Sequence, residues 1–370
     1  MATIYPIKPA GVSVIVCCYN SAGRLPETLK HLALQQVPQG IEWEVIVVDN
    51  HSSDDSSAVA FASWKRYRCT APFNVIAEPR PGLSFARKTG ADAAQYELLL
   101  YCDDDNWLAP DYIRISFQQM QAHPNIGVLG GRSTACFEAN EPAWFSRFEK
   151  AYAVGRPMQQ SGNANQRTYL AGAGMLVRKS LLQQLEAIDY RQLLTDRKGK
   201  ELSSGGDAEL CLVMLYLGYD LYYDERLQFV HYMPAGRLDW RYCVKMMAEG
   251  HAIPQLYFEL YQYCYEQRSA TTNGAFLPLY RKMLAKHRRK LIRCFLPPGH
   301  GLLSLKLLVK GQEGSKKEIQ VKAALHKLRW LYRNRVLLEA AFQDTWQFMG
   351  RLAELREAAP VHRLNQTQQP

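Results

Sequence analysis

Leu98-Leu99-Leu100-Tyr101-Cys102-Asp103-Asp104-Asp105-Asn106-Trp107-Leu108-Ala109-Pro110-Asp111-Tyr112-Ile113 is the stretch on which the fold turns. Its uninterrupted apolar opening predicts a strand over Glu97–Cys102 that is covered on both faces. Pro110 suits a first helical turn, so a helix is predicted over 110–121. Between the two lie three consecutive carboxylates, which raise one another's pKa unless a cation or hydrogen-bond donors neutralise them. One reading is a hard divalent ion, Mg²⁺ or Mn²⁺, which takes one or two carboxylates together with diphosphate oxygens. The other is a solvated acidic turn ahead of the helix.

Working outward, short β-branched runs alternate with amphipathic helical patterns through the first third of the chain. Val12–Val16, Trp43–Val48 and Asn74–Ala77 read as strands. Leu25, Leu29, Leu32 and Ala33 repeat at helical spacing, and Ser84–Gln95 reads as a helix. This alternation predicts an α/β fold with a Rossmann-like, mostly parallel central sheet flanked by helices. In such sheets ligands sit beyond the carboxyl ends of the strands. Those ends carry Tyr19-Asn20, Asp49-Asn50, Glu78 to Arg80 and Asp103 to Asn106. Asp49 is open to two readings, an Asx turn into the following serines or a carboxylate contacting a nucleoside.

At 370 residues, 47% hydrophobic and 22% charged, the chain can bury one or two ordinary cores, which excludes a disordered tail or a disulfide-stapled miniprotein. Nine scattered cysteines without a CxxC pair read as reduced, buried thiols, with a cytoplasmic location expected. Val12–Cys18 reads as a strand rather than a signal peptide. Apolar runs such as Cys211–Leu217 are far shorter than the roughly 20 residues a spanning helix needs.

The strings SVIVCCYN (13–20), EVIVVDNHSSD (44–54), EPRPGLSFARKTG (78–90) and LLLYCDDDNWLAPDYI (98–113) resemble, in order and spacing, the motifs of family 2 inverting nucleotide-sugar glycosyltransferases of the GT-A fold. The resemblance implies that Tyr19, Asn20 and Asp49 line the nucleoside pocket, with Asp49 bonded to the base. Arg80, at the third strand end, joins the donor site. Arg87 matches the family's arginine, while Lys88 replaces its usual Asn and offers another cation near a diphosphate. Asp103 to Asp105 resemble the DXD signature. Asp105 is then the direct metal ligand, and Asp103 or Asp104 faces ribose or donor sugar.

A second half of the site is expected over about 127–240. In LAGAGMLVRKS (170–180), Gly172 and Gly174 on a strand pattern mark either a tight sheet crossing or an approach to ligand. In the family a similar strand runs under the donor sugar. Asp207 in SSGGDAELCLVMLYLGY (203–219) is a plausible helix N-cap. GGDAEL also resembles the family's GEDxEL, with Gly206 in place of the first acid, which makes Asp207 the catalytic base. His231 in LQFVHYMPAGRL (227–238) is either a packed side chain or, by the resemblance, a further ligand of the metal. Arg237 and Arg241 are placed on the next helix, where they either hold phosphate oxygens or decorate its surface.

Past residue 240 the pattern is helical. Arg281–Arg335 holds 16 Lys or Arg against 2 Glu, more than the whole excess behind the net charge of +10, so residues 241–370 are expected to form a basic helical extension of a domain spanning 1–240 (nucleotide half about 1–126). Interleaved basic and apolar residues suit an anionic membrane surface contacted through 281–335. A solvated face or a dimer contact is the alternative. No recognition motif for nucleic acid accompanies the charge. The expected whole is a metal-dependent inverting enzyme, peripheral on the inner face of the membrane. It takes a nucleoside-diphosphate sugar, UDP-linked, to a glycan or lipid-linked acceptor. The rivals are a sugar nucleotidyltransferase, for which SVIVCCYNSAGR lacks the glycine-rich phosphate loop, and a non-catalytic scaffold of the same fold.

Overall fold

The computed structural model describes residues 10–194, 204–269, 275–296 and 300–358. The Pro297-Pro298-Gly299 punctuation between basic helices lies outside them. Nine strands among the described residues form one sheet. They are β1 (Gly11–Cys18), β2 (Glu42–Asp49), β3 (Phe73–Ala77), β4 (Leu98–Asp103), β5 (Asn106–Leu108), β6 (Ile126–Phe137), β7 (Gly162–Asn163), β8 (Met175–Arg178) and β9 (Asp220–Met233). Their order is β3-β2-β1-β4-β8-β6-β9-β5, with β7 also paired to β9. The sequence-predicted strands make the parallel half, β3 to β4. Beyond β4 the sheet is mixed: β8 runs antiparallel to β4 and β6, β6 and β9 are parallel, and β5 and β7 are antiparallel to β9.

Helices α1 (Leu25–Ala33), α2 (Ser56–Tyr67), α3 (Leu83–Ala93), α4 (Tyr112–Ala122), α5 (Phe145–Phe148), α6 (Lys179–Ala187) and α7 (Gly206–Leu217) accompany the strands. After β9 the described chain is helical: α8 (Trp240–Lys245), α9 (Ala252–Ser269), α10 (Phe276–Phe295), α11 (His300–Val309), α12 (Lys316–Arg333) and α13 (Arg335–Ala358). None of these helices is long and apolar enough to cross a membrane.

Because side chains alternate across a strand, β1 serves two cores at once. Val12, Val14 and Val16 pack with Leu25, Leu29, Val45 and Leu100 on one face. Ile15 and Cys17 join Ile46, Leu99 and Met175 on the other. That second core does not stop at residue 240. It continues through Met214, Leu256, Leu260, Phe276, Leu331, Phe342 and Leu352. Residue 240 marks where strands cease, while the hydrophobic core runs on. All nine cysteines are free. Burial pushes the Cys17, Cys211 and Cys264 thiols up to about 12, so they are packing groups rather than nucleophiles.

Each fully buried Leu or Phe contributes about 1.5–3 kcal/mol by leaving water, and a domain's net stability is only about 5–15 kcal/mol. A fragment ending at 240 loses seven or more such partners of the second core, including Leu256, Leu260, Leu331 and Phe342. It is expected to aggregate and to show no cooperative thermal transition by circular dichroism. A monomeric fragment with a sharp melt would contradict the shared core.

Candidate active site

β4 carries its carboxylates to the carboxyl edge of the sheet. Asp103 is the last strand residue, and Asp104 and Asp105 form the turn into β5. Each of the three has a different environment. Asp104 is gripped from the β1–α1 connection: Arg24 donates Nε to Oδ1 at 2.9 Å and Nη2 to Oδ2 at 2.8 Å, and Ser21 Oγ also donates to Oδ2. This fork geometry is the strong form of a carboxylate pair. Asp105 Oδ2 pairs with Arg237 at 2.9 Å, and Oδ1 lies 3.4 Å from His231 Nε2 and accepts from Asn106 at 3.1 Å. Among the described residues no cation forms such a fork with Asp103. Burial raises its carboxyl pKa; Arg87 opposes that rise, Asp105 adds to it, and His231 opposes it more weakly.

A cavity of about 380 Å³ opens over these residues. Of the sequence-predicted set, Tyr19, Arg87, Asp103, Asp104, Asp105, Gly172, Asp207 and His231 line it together. Asn20, Asp49, Arg80 and Gly174 do not. Asp49 closes β2 as an Asx turn, accepting from Ser52 N at 3.0 Å and Ser57 Oγ at 2.5 Å. Asn20 adopts a positive φ of 49° and its amide oxygen accepts from Ser53 N. Arg80 pairs with buried Glu78 at 2.8 Å and lies over the Phe85 ring.

Several local expectations change. Gly172 and Gly174 precede β8 rather than lying on it. At Gly172 a Cβ would come within 2.6 Å of the Arg87 guanidinium and 3.1 Å of Asp207 Cβ, so the missing side chain is what lets Arg87 of α3 and Asp207 of α7 close on the segment ahead of β8. Gly174 has φ +70° and its carbonyl accepts from Tyr112 Oη at 2.6 Å, a packing role beneath the sheet. Asp207 is not the N-cap: Gly205 is, with φ +111°, and Asp207 sits in the first turn of α7. Its Oδ2 accepts from Gly172 N at 2.7 Å and its Oδ1 from Ala208 N at 2.8 Å. Lys88 points away from the cavity, bonding Asp92 at 3.0 Å and Glu186 at 2.9 Å. Arg237 belongs to a 3₁₀ turn at Ala235–Arg237 and faces the cavity, whereas Arg241, on α8, does not line it.

Cavity residues that sequence reading did not assign to the site include Arg24, His51 and His251, and Asn50 beyond its place at a strand end. Asn50 shapes the wall by donating to the Arg80 carbonyl at 2.7 Å and accepting from Gly82 N at 2.7 Å. Its signal was present in the Asp49-Asn50 strand end. Arg24 had none, because its partner is 80 residues away.

The resemblance implies a divalent ion at these residues. Among the described residues no three His, Cys, Asp or Glu side chains form a ready-made cage. The donor set nonetheless suits a hard ion that completes its shell from a diphosphate. Two carboxylates, Asp103 and Asp105, and one imidazole, His231, border the cavity. Asp103 is the member whose charge the protein leaves least compensated.

Residues 13–186 match the family described as "Glycosyl transferase family 2". That match covers just under half of the chain and includes the β4 carboxylates. The chain is 31% identical over 106 residues to the "Putative glycosyltransferase EpsH" of Bacillus subtilis, covering 29% of each chain. It is 28% identical over 127 residues to the "Succinoglycan biosynthesis protein ExoM" of Rhizobium meliloti, covering 34% of this chain and 40% of that one. The chain spans less than half the length of these curated relatives. Against the crystal structure of S. aureus TarS 1-349 in complex with UDP-GlcNAc the TM-score is 0.47 at 17% identity, over 94% of this chain and 90% of that one.

Two residues beyond Asp207, Glu209 anchors the helix that carries it. Fully buried, it accepts from Tyr261 Oη of α9 at 2.6 Å, from Leu193 N at 2.9 Å and from Leu194 N at 2.7 Å. Burial pushes its carboxyl up to about 7, against those hydrogen bonds. A carboxyl whose folded pKa is raised binds more protons folded than unfolded between pH 4.5 and about 7. Its contribution is therefore full below that window and is lost as pH rises through it, by about 3 kcal/mol in all. The urea midpoint of the wild type is expected to fall more between pH 5 and 7.5 than that of Glu209→Gln. Parallel pH profiles would remove Glu209 from this role.

Proposed function

We propose that this protein is a metal-dependent, inverting glycosyltransferase of family 2, and that it moves a sugar from a UDP-sugar to a hydroxyl of a glycan or lipid-linked acceptor. The observation that carries the reading is the convergence of Asp207 with Asp103 to Asp105 on one cavity, although they lie on α7 and at the end of β4. Gly172 N and Ala208 N fix the Asp207 carboxylate against rotation. In that orientation it accepts the proton of the acceptor hydroxyl. The acceptor oxygen bonds to the anomeric carbon from the face opposite the diphosphate. The bond from that carbon to the diphosphate oxygen breaks, and its electron pair leaves with the nucleotide. One displacement without a covalent enzyme intermediate inverts carbon 1.

Asp103, Asp105 and His231 are the residues that would hold the divalent ion, whose chemistry is to neutralise charge on the departing diphosphate. Arg87 supplies a fixed cation beside Asp103. Tyr19, about half exposed at the cavity, offers a ring face to the base. The name of ExoM, a succinoglycan biosynthesis protein, supports a polysaccharide acceptor. The basic helices within 281–335 in turn support docking to an anionic membrane surface, where such acceptors are assembled on lipid.

Asp207→Asn keeps one acceptor oxygen, so one of the two N–H groups loses its partner. The carboxylate touches neither Asp103 nor Asp105, however, and UDP affinity should stay within about threefold. Transfer should fall by about 10²–10⁴-fold, the usual worth of a positioned base. Isothermal titration with UDP and Mn²⁺ and a product assay separate the two. Equal loss of binding and transfer would make Asp207 structural.

A further inference from the structure

A second, larger cavity of about 810 Å³ lies between α8, the π-helical turn Met246–Gly250, the end of α11 and α12. Its wall carries Arg241, Lys245, Lys310 and Arg329, all exposed, together with Lys322 and His326. Three carboxylates share the wall, and two are already engaged. Glu318 accepts from Lys322, from Trp240 Nε1 at 3.1 Å and from Gln312 N at 2.7 Å, and Glu313 accepts from Trp144 Nε1 at 3.1 Å. Glu249 is the third, and it faces His326. Among the described residues none of Arg241, Lys245, Lys310 and Arg329 forms an ion pair, so the cavity holds a surplus of cations that only an anion would neutralise.

An apolar stripe leads to this cavity. Leu302, Leu305 and Val309 fall on one face of α11 at i, i+3 and i+7, and Leu302 and Val309 are 79% and 78% exposed. Val309 is also a lining residue of the cavity, so the stripe ends at its lip. An exposed apolar stripe ending at a basic cavity is the shape complementary to an acyl or prenyl chain joined to phosphate. The segment that separates the two cavities faces both: Arg237, Met246 and His251 line the donor side, and Arg241, Lys245 and Glu249 the other.

We infer that the cavity between α8, α11 and α12 binds the phosphate head of a membrane lipid, with the chain lying along Leu302, Leu305 and Val309. The inference rests on the membrane docking proposed above and names its contact point. Bound there, a phosphate head sits one helix away from the donor cavity, which fixes the orientation of the enzyme on the bilayer.

The test uses the full chain. Sedimentation with phosphatidylglycerol–phosphatidylcholine vesicles is compared for the wild type, for Lys245→Gln/Lys310→Gln/Arg329→Gln, and for Arg281→Gln/Lys282→Gln/Arg289→Gln, which removes the same charge from α10. The cavity variant should lose roughly tenfold or more in vesicle affinity, and the α10 variant much less. Titration of the wild type with a short-chain soluble lipid phosphate and with inorganic phosphate should show at least tenfold preference for the lipid. Equal losses by the two variants, no vesicle binding by the wild type, or equal affinity for inorganic phosphate would each overturn the inference. Hydrolysis of UDP-sugar by water and the thermal midpoint should be unchanged in the cavity variant. A loss of hydrolysis across all proteins, wild type included, would instead count against the catalytic reading.

Discussion

Three adjacent carboxylates at the tip of a buried strand are the constraint around which this structure is arranged. Two like charges about 4 Å apart repel by about 4 kcal/mol at an effective dielectric near 20, a large share of a domain's net stability of about 5–15 kcal/mol. The fold answers with a cation from each side. Arg24, beside α1, takes both oxygens of Asp104. Arg237, in the turn after β9, takes Asp105, and Arg87, from α3, faces Asp103. Neutralising the β4 tip therefore ties the β1–α1 connection, α3 and the segment after β9 into one wall. Asp103 is left with its pKa raised by burial.

Asp207 reaches that wall by a different route. Its position depends on Gly172, where any side chain would collide with Arg87 and Asp207 itself, and on Glu209, whose hydrogen bonds tie α7 to α9. The C-terminal helices are thus part of the site's support. Tyr261 of α9 holds Glu209, and the core beneath α7 extends to Phe342 and Leu352 of α13. This explains why a chain with an α/β first half carries a long helical remainder that cannot be peeled away.

The sequence reading recovered the parallel half of the sheet because its strands are short β-branched or apolar runs, buried on both faces in β1, β2 and β4, a local signal. It recovered the acidic tip and Asp207 as candidates for the same reason: each sits in a short motif. It could not see the mixed half, since the insertion of β8 and β6 beside β4 is decided by packing between distant segments. It offered the Asx turn that Asp49 makes as one of two readings, but it could not see that Asp104 is spent on Arg24. A carboxylate's partner is a tertiary fact, and Arg24 is 80 residues from Asp104. The extension was legible as helical and basic, but the burial of its apolar faces against α7 was not, because amphipathic periodicity says that a face is covered without saying by what.

The central claim is that the β4 carboxylates and the cavity above them form a donor site completed by a divalent ion. Isothermal titration of UDP into the full-length protein, with EDTA and then with Mn²⁺, addresses it most directly, with Asp103→Asn as the second protein. The account predicts UDP binding that strengthens at least tenfold with Mn²⁺ in the wild type and loses that dependence in Asp103→Asn. UDP affinity indifferent to the metal, or a metal effect that survives Asp103→Asn undiminished, would contradict it.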